Sequence, residues 1–389
     1  MNRQTAVNLA LLAVVSLVCL GLCEIGTRLL FSDQVLLFPR YHTSAHYGEF
    51  TLRRLRPNFQ FSHTNRDGNW KFVTNRQGFR SYEDFHLEKP PGIFRVIALG
   101  DSTTEGFEVR QSYTYAAVLE RYLRKNGIRA EVFNTGISGF GTAEELIYLE
   151  NEGIKYKPDA VVLGFNANDF DDNVRSDLFR IEGDKLVIAN KTYIPGVSIL
   201  DAINAVALLR WLSENSYFYS FALNTVWDAA KRARLRSSEQ WRETEFTIPT
   251  SIDKYKTELE VALLQRLYAF CRSHSIMLIV VDIPRRVDVE KSEPDFLGSV
   301  PADLQSQFRE NSDALILSED VFAPYRGLTE FHGLTHINEF SHLMLGIAVG
   351  RNIRTLLGGW EKVNVTPQPI ARTTRTIANT STRTTAVYY

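Results

Sequence analysis

The sequence predicts an α/β protein built in three layers, with a central, mostly parallel five-stranded sheet between helices and one transmembrane helix ahead of it. Three observations carry this. From Phe94 onward, short apolar β-branched runs alternate with stretches of helical periodicity. Those runs are apolar at successive positions, as in strands covered on both faces. And Ala6 to Cys23 is almost wholly apolar, broken only by Asn8 and Ser16.

That N-terminal run would form a helix about 27 Å long, close to the ~30 Å hydrocarbon thickness of a bilayer. It is longer than a typical signal-peptide core and lacks a small-x-small cleavage site. Leu22 before Cys23 makes a poor lipoprotein site. Residues 1–31 are therefore read as an uncleaved single-pass signal anchor with the rest of the chain outside the cytoplasm; a cleaved signal peptide is the alternative. Arg3 and the amino terminus precede the span and Arg28 and Arg40 follow it, so charge bias does not settle orientation.

Residues 32–93 are polar and turn-rich, with a short strand around Trp70–Thr74, and read as an extension beside the main domain. Residues 94–360 form that domain. Its expected strands are 94–99, 130–133, 160–165, 276–281 and 314–317, and its expected helices 113–125, 142–154, 255–273 and 340–357, the last N-capped by Asn338. Residues 170–250 interrupt the alternation with an acidic stretch, a hairpin-like segment and a run rich in Leu, Ala, Phe, Tyr and Trp. That insertion reads as a cap over the active site, as a surface resting on a membrane, or as a helical insertion packed on the core. The Thr- and Arg-rich residues 361–389 read as a disordered tail.

With 389 residues and 44% hydrophobic content, the chain can bury one sizeable core. A formal net charge of −1 argues against a nucleic-acid partner. Of three cysteines, Cys19 and Cys23 lie in the apolar run and Cys271 stands alone, so neither a disulfide framework nor zinc-ligand spacing is present. No metal or organic cofactor is expected, and composition leaves the oligomeric state open.

Candidate chemistry gathers at four segments, each at or near the carboxyl end of an expected strand, where open parallel sheets build their sites. Gly100-Asp101-Ser102-Thr103-Thr104-Glu105-Gly106 exposes a serine at a strand-to-helix turn. Asn134–Gly139 supplies glycines whose amides can approach a ligand. Asn166-Ala167-Asn168-Asp169 offers amide side chains. His336-Ile337-Asn338 comes near the end of the folded region. Ester cleavage needs a nucleophile, a base and donors for the tetrahedral oxyanion, and serine, histidine and amide groups are that set.

These blocks resemble the SGNH, or GDSL-type, hydrolase superfamily, over about residues 94–357. Thr74–Arg80 is also similar to a segment preceding the nucleophile block in bacterial membrane-anchored members. The resemblance implies a flavodoxin-like sheet, Ser102 as nucleophile and His336 as general base. Its oxyanion donors would be the amides of Ser102 and Gly139 and the Asn168 side chain. Asp101 and Asp169 are read as fixing loop geometry, and His342, heading the apolar face of Leu345, Val349 and Ile353, as structural. The family's usual Asp three residues before the histidine is Gly333 here. Three alternatives follow: Glu330 or Asp320 reaches the ring instead, a backbone carbonyl orients it in a Ser–His dyad, or activity is weak. The block III glycine is Asn166. The implied function is hydrolysis of carboxylic esters through an acyl-enzyme on Ser102, on an acylated envelope glycan or lipid. An extracytoplasmic O-acetyltransferase on the same scaffold and a catalytically weakened binding protein are the alternatives.

Overall fold

The computed structural model describes residues 2–32, 35, 37, 41–65, 68–195, 197–235, 252–286, 296–325, 331–332 and 336–358. The chain opens with α1 (Arg3–Leu30), started by Asn2, whose side-chain oxygen accepts from the Thr5 N–H (2.8 Å). Among the described residues it is the one helix long and apolar enough to cross a membrane. Its Val and Leu side chains stand outward, exposed.

Two hairpins follow. β1 (His42–Tyr47) and β2 (Phe50–Leu55) pair across a turn at Gly48 and Glu49, and β3 (Gln60–Asn65) pairs with β4 (Gly68–Val73). The expected strand at 70–74 is thus the second arm of a hairpin. Tyr41, Leu52, Leu55, Phe61 and Phe72 turn inward and join the main core.

The main sheet starts at β5 (Phe94–Gly100), which leads into the short α2 (Ser102–Glu105). Then come α3 (Tyr115–Lys125), β6 (Ala130–Asn134), α4 (Thr142–Asn151) and β7 (Ala160–Phe165). The insertion contributes α5 (Asp169–Ser176), the hairpin of β8 (Phe179–Glu182) and β9 (Lys185–Ile188), and β10 (Thr192–Tyr193), which adds to β2 in parallel. Three helices follow: α6 (Val197–Ala205), α7 (Ala207–Asn215) and α8 (Tyr217–Leu235). They pack on β1, β3 and α1 respectively. α9 (Lys254–Ser273), N-capped by Asp253, returns the chain to β11 (Met277–Asp282). The remaining elements are β12 (Arg285–Arg286), β13 (Phe296–Leu297), α10 (Gln305–Glu310), β14 (Ala314–Ile316), α11 (Ser318–Phe322), β15 (Phe331–His332), β16 (His336–Ile337) and α12 (Glu339–Gly358).

The five-stranded sheet runs β14-β11-β7-β5-β6, every pairing parallel. Numbered along the chain, this is the order 2-1-3-4-5 of flavodoxin-like sheets, with its switch point between β5 and β7. Alternation along each strand feeds two cores. Val96, Ala98, Val162 and Ile279 meet α3 and α12 on one face. Ile97, Leu99, Val161 and Leu163 meet the α4 and α9 layer on the other. Asn338 caps α12 by accepting from the Ser341 N–H (2.9 Å). The tail 361–389 lies outside the described residues.

Candidate active site

Gly100 ends β5, and Asp101 turns the chain by accepting from the Thr103 N–H through Oδ1 (2.8 Å). Ser102 is then the first residue of α2, where an N–H has no partner within the helix. Among the described residues neither the Ser102 nor the Gly139 N–H is bonded to an acceptor.

The structure brings Ser102 and His336 together across 234 residues of chain, with Ser102 Oγ 3.0 Å from His336 Nε2. On the opposite side of the ring, Nδ1 lies 3.0 Å from Oε2 of Glu108. A carboxylate at Nδ1 holds the proton there, leaving the Nε2 lone pair toward the hydroxyl. The Phe107 ring stands 5.2 Å from the imidazole, an apolar wall beside the pair.

Glu108 occupies the orienting position that sequence reasoning offered to Glu330 or Asp320. Asp320 is exposed on α11, and the Nδ1 position expected for it is taken by Glu108. Glu330 and Gly333 lie outside the described residues. Glu108 has a left-handed backbone (φ +64°) and is only 3% exposed. Burial alone would push its carboxyl up, but hydrogen bonds and charge from His336 and His63 outweigh this and hold it well below the usual carboxylate range. His63 Nε2 lies 3.6 Å from Glu108 Oε1, and burial pulls that imidazole down toward neutrality.

The Ser102 loop is braced by residues from the segment ahead of β5. Arg80, the last residue of the Thr74–Arg80 segment, is buried and donates to the carbonyls of Glu105 (2.9 Å), Gly106 and Val109. Burial pulls its guanidinium down to about 10, still cationic at neutral pH. Glu105 ties this loop to the next one, accepting from the Ser138 N–H (2.6 Å), the Ser138 hydroxyl (2.8 Å) and the Tyr41 hydroxyl (2.7 Å). Arg53 Nη2 donates to the carbonyls of Ser138 (2.9 Å) and Gly139 (3.0 Å). Gly139 needs its missing side chain: φ is +75°, and a Cβ would stand 2.6 Å from Arg53 Nη2. Gly136 serves packing, since a Cβ there would meet the Glu105 amide nitrogen at 2.2 Å.

Asn168 follows β7 and aims its Nδ2 at Asp172 Oδ2 (2.7 Å) and Asp101 Oδ2 (3.4 Å). Both amide hydrogens are thus engaged with carboxylates, the second at the limit of a hydrogen bond. Asn166 donates to Asp101 Oδ2 (3.2 Å) and accepts from the Ala167 N–H (2.8 Å), so it holds its own loop. Asp169 accepts from the Asn166 N–H (2.9 Å). His342 accepts the Tyr115 N–H at the start of α3 (3.1 Å), buried away from the site.

Behind these loops sits a group of buried acids. Burial, aided by the Asp172 charge, pushes Glu144 up to about 8; burial also pushes Glu260 up to about 7 and Asp172 to about 6. Among the described residues no group of three or more His, Cys, Asp or Glu side chains could hold a metal ion. An open cleft of about 370 Å³ lies where the Glu108 and His336 loops meet β4, lined by Asn69, Trp70, Arg110, Asn338, Glu339 and Phe340.

Fold and geometry define a class: an α/β protein with a flavodoxin-like sheet and a Ser–His–carboxylate row at its switch point. Part of the sequence is similar to a known family. Residues 98–246 match the family described as GDSL-like Lipase/Acylhydrolase. His336 lies beyond the matched stretch and enters the site through the fold alone. The chain is distantly similar to several solved structures. They include an acetylxylan esterase, Axe2, from Geobacillus stearothermophilus (15% identity over 67% of this chain and 94% of that one, TM-score 0.37). A lipase/acylhydrolase from Enterococcus faecalis is another (15%, 68% and 96%, TM-score 0.36). A third is the psychrotrophic esterase EstA from Pseudoalteromonas sp. (12%, 68% and 98%, TM-score 0.36). No curated protein matches the sequence.

Proposed function

We propose that this chain is a serine esterase that cleaves carboxylic esters through an acyl-enzyme on Ser102, working outside the cytoplasm on an acylated glycan or lipid while α1 anchors it in the membrane. The observation that carries the reading is the unbroken row Ser102 Oγ, His336, Glu108, with 3.0 Å at each junction. The serine hydroxyl attacks the ester carbonyl as Nε2 of His336 takes its proton. The imidazolium so formed lies against the Glu108 carboxylate, which stabilises it. The negative oxygen of the tetrahedral intermediate is received by the Ser102 and Gly139 N–H groups. Asn168 adds a third donor by releasing its long contact with Asp101. Collapse expels the alcohol with the proton from His336, and water repeats the sequence to free the acid.

Gly333 favours a weakened binding protein; the Glu108 carboxylate 3.0 Å from Nδ1 of His336 supports the esterase instead. Rapid fluorophosphonate labelling of the full chain, abolished in Ser102→Ala, together with Ser102-dependent hydrolysis of p-nitrophenyl acetate, supports the esterase. Equal turnover by wild type and Ser102→Ala removes it. Acyl transfer to a sugar hydroxyl outpacing hydrolysis would identify the same acyl-enzyme as an O-acetyltransferase.

A further inference from the structure

We propose that α7 is an interfacial helix whose outward face lies in the headgroup layer of the bilayer that α1 crosses, so that the enzyme is held flat on the lipid surface rather than swinging on its anchor. This rests on α1 being retained as a membrane helix. The depth of α7 follows from side chains near the end of α1. Glu24 is the first charged residue after the apolar run 6–23 and marks where the helix leaves the hydrocarbon. Its carboxylate accepts from the Ser216 hydroxyl (2.8 Å) and from the N–H groups of Tyr217 (3.0 Å) and Phe218 (2.9 Å), capping the start of α8. One turn on, Arg28 donates to the carbonyl of Asn215, the last residue of α7 (2.9 Å), and lies 4.6 Å over the Tyr217 ring. Phe31 stacks on Phe221, with centroids 4.9 Å apart. The junction of α7 and α8 is therefore fixed at the membrane boundary.

α7 is turned so that Ser213 is buried and Leu209 and Leu212 are half-buried, while Leu208 (63%) and Trp211 (57%) are exposed one turn apart, with Val206 (48%) just ahead. Arg210 is exposed beside them. An apolar stripe with a tryptophan and a flanking arginine, at the level where a span ends, has the composition of membrane interfaces, where the indole sits among headgroups and the guanidinium reaches phosphate. In water the same stripe would be an uncovered apolar patch. The orientation it imposes reaches the site: α6 is tied to the β2–β3 connection by the Asp201–Arg56 ion pair, and β2 carries Arg53, which holds the Gly139 loop.

The test uses the full chain reconstituted in vesicles of phosphatidylcholine and phosphatidylglycerol. Resistance to alkaline carbonate extraction, with the N-terminus intact, reads the anchor. Tryptophan quenching by lipids doxyl-labelled near the headgroup or deep in the chain reads α7. Wild type should be quenched more by the shallow label, and Trp211→Tyr should lose at least half of that shallow quenching. The double variant Trp211→Tyr, Leu208→Trp should regain it, because both positions share one face. Identical quenching in wild type and Trp211→Tyr, with the anchor intact, overturns the interfacial helix alone. Release of the chain by carbonate overturns the anchor and the helix with it, leaving the esterase assignment to the labelling of Ser102.

Discussion

Replacing Glu108 by glutamine removes one charge and little volume from a buried position. In the proposed mechanism His336 takes the serine proton, and the new imidazolium would face the carboxylate, with Nδ1 and Oε2 3.0 Å apart. Taking about 4 Å between charge centres and an effective dielectric near 20, the pair is worth ~4 kcal/mol. At ~1.4 kcal/mol per decade, that is a loss of about a thousandfold in kcat. An amide NH2 facing Nδ1 also favours the tautomer protonated on Nε2, which cannot accept from Ser102, and this pushes the loss toward ~10⁴. KM should change by less than about threefold, since Glu108 contacts His336 and His63 and not the ester in this mechanism. Kinetics on p-nitrophenyl acetate between pH 6 and 8, with fluorophosphonate labelling rates in parallel, give both numbers. Titration of Glu108 does not confound this window. Its folded pKa is depressed, so its contribution to stability is present above the ~4.3 of an unfolded glutamate and is lost only as pH falls through the folded value. A kcat within about tenfold of wild type would refute the reasoning and return His336 to a dyad.

Two further outcomes follow from the loops around the row. Arg80→Met leaves the Glu105, Gly106 and Val109 carbonyls without their donor. It should cost on the order of 3 kcal/mol by denaturant titration and lower kcat more than it raises KM, because the Glu108 loop loses its clamp. Glu144 has its pKa raised to about 8 by burial, with Asp172 adding to the rise and Arg53 opposing it. The folded state then keeps a proton that the unfolded chain releases above ~4.3, so wild-type stability should fall as pH rises from about 5 to 8. Glu144→Gln can keep an acceptor for the Gly141 N–H; melting curves across that range should be flatter for the variant by on the order of 1–3 kcal/mol.

The five strands of the main sheet were legible because β7 and β11 are buried along their whole length and β5 nearly so, which leaves continuous apolar runs. The N-terminal hairpins were mostly hidden. β2 carries Arg53 and Arg54, and β3 carries His63 and Asn65, so neither alternates cleanly, although their inward residues join the core. The apolar insertion was visible as a whole, but its division into α6, α7 and α8 was not, since the breaks at Val206 and Ser216 carry no Gly or Pro. Ser102 and His336 were found by motif, and the fold sets them 3.0 Å apart. Glu108 was missed because the family pattern looks for its acid just ahead of the histidine, whereas here 228 residues separate the two in sequence. The available signal was a second glutamate in the same short block, Glu105-Gly106-Phe107-Glu108, with two acids that the fold gives different partners.

That division of labour explains why the acid can leave its usual place. An imidazole imposes only a direction on its partner: a carboxylate must lie in the ring plane beyond Nδ1, whichever segment brings it. A carboxylate delivered from the nucleophile's own loop must be held as rigidly as one on the histidine loop, and a left-handed residue such as Glu108 holds its conformation only where its surroundings enforce it. Here Arg80 grips the carbonyls on both sides of Glu108, at Gly106 and Val109, and Glu105 locks the same loop to Ser138. The Thr74–Arg80 segment therefore belongs to the same solution as the displaced acid. Weakening Arg80 should loosen Glu108 before it touches Ser102, and the two substitutions should be less than additive in kcat when combined, because the clamp has nothing left to position once the carboxylate is gone.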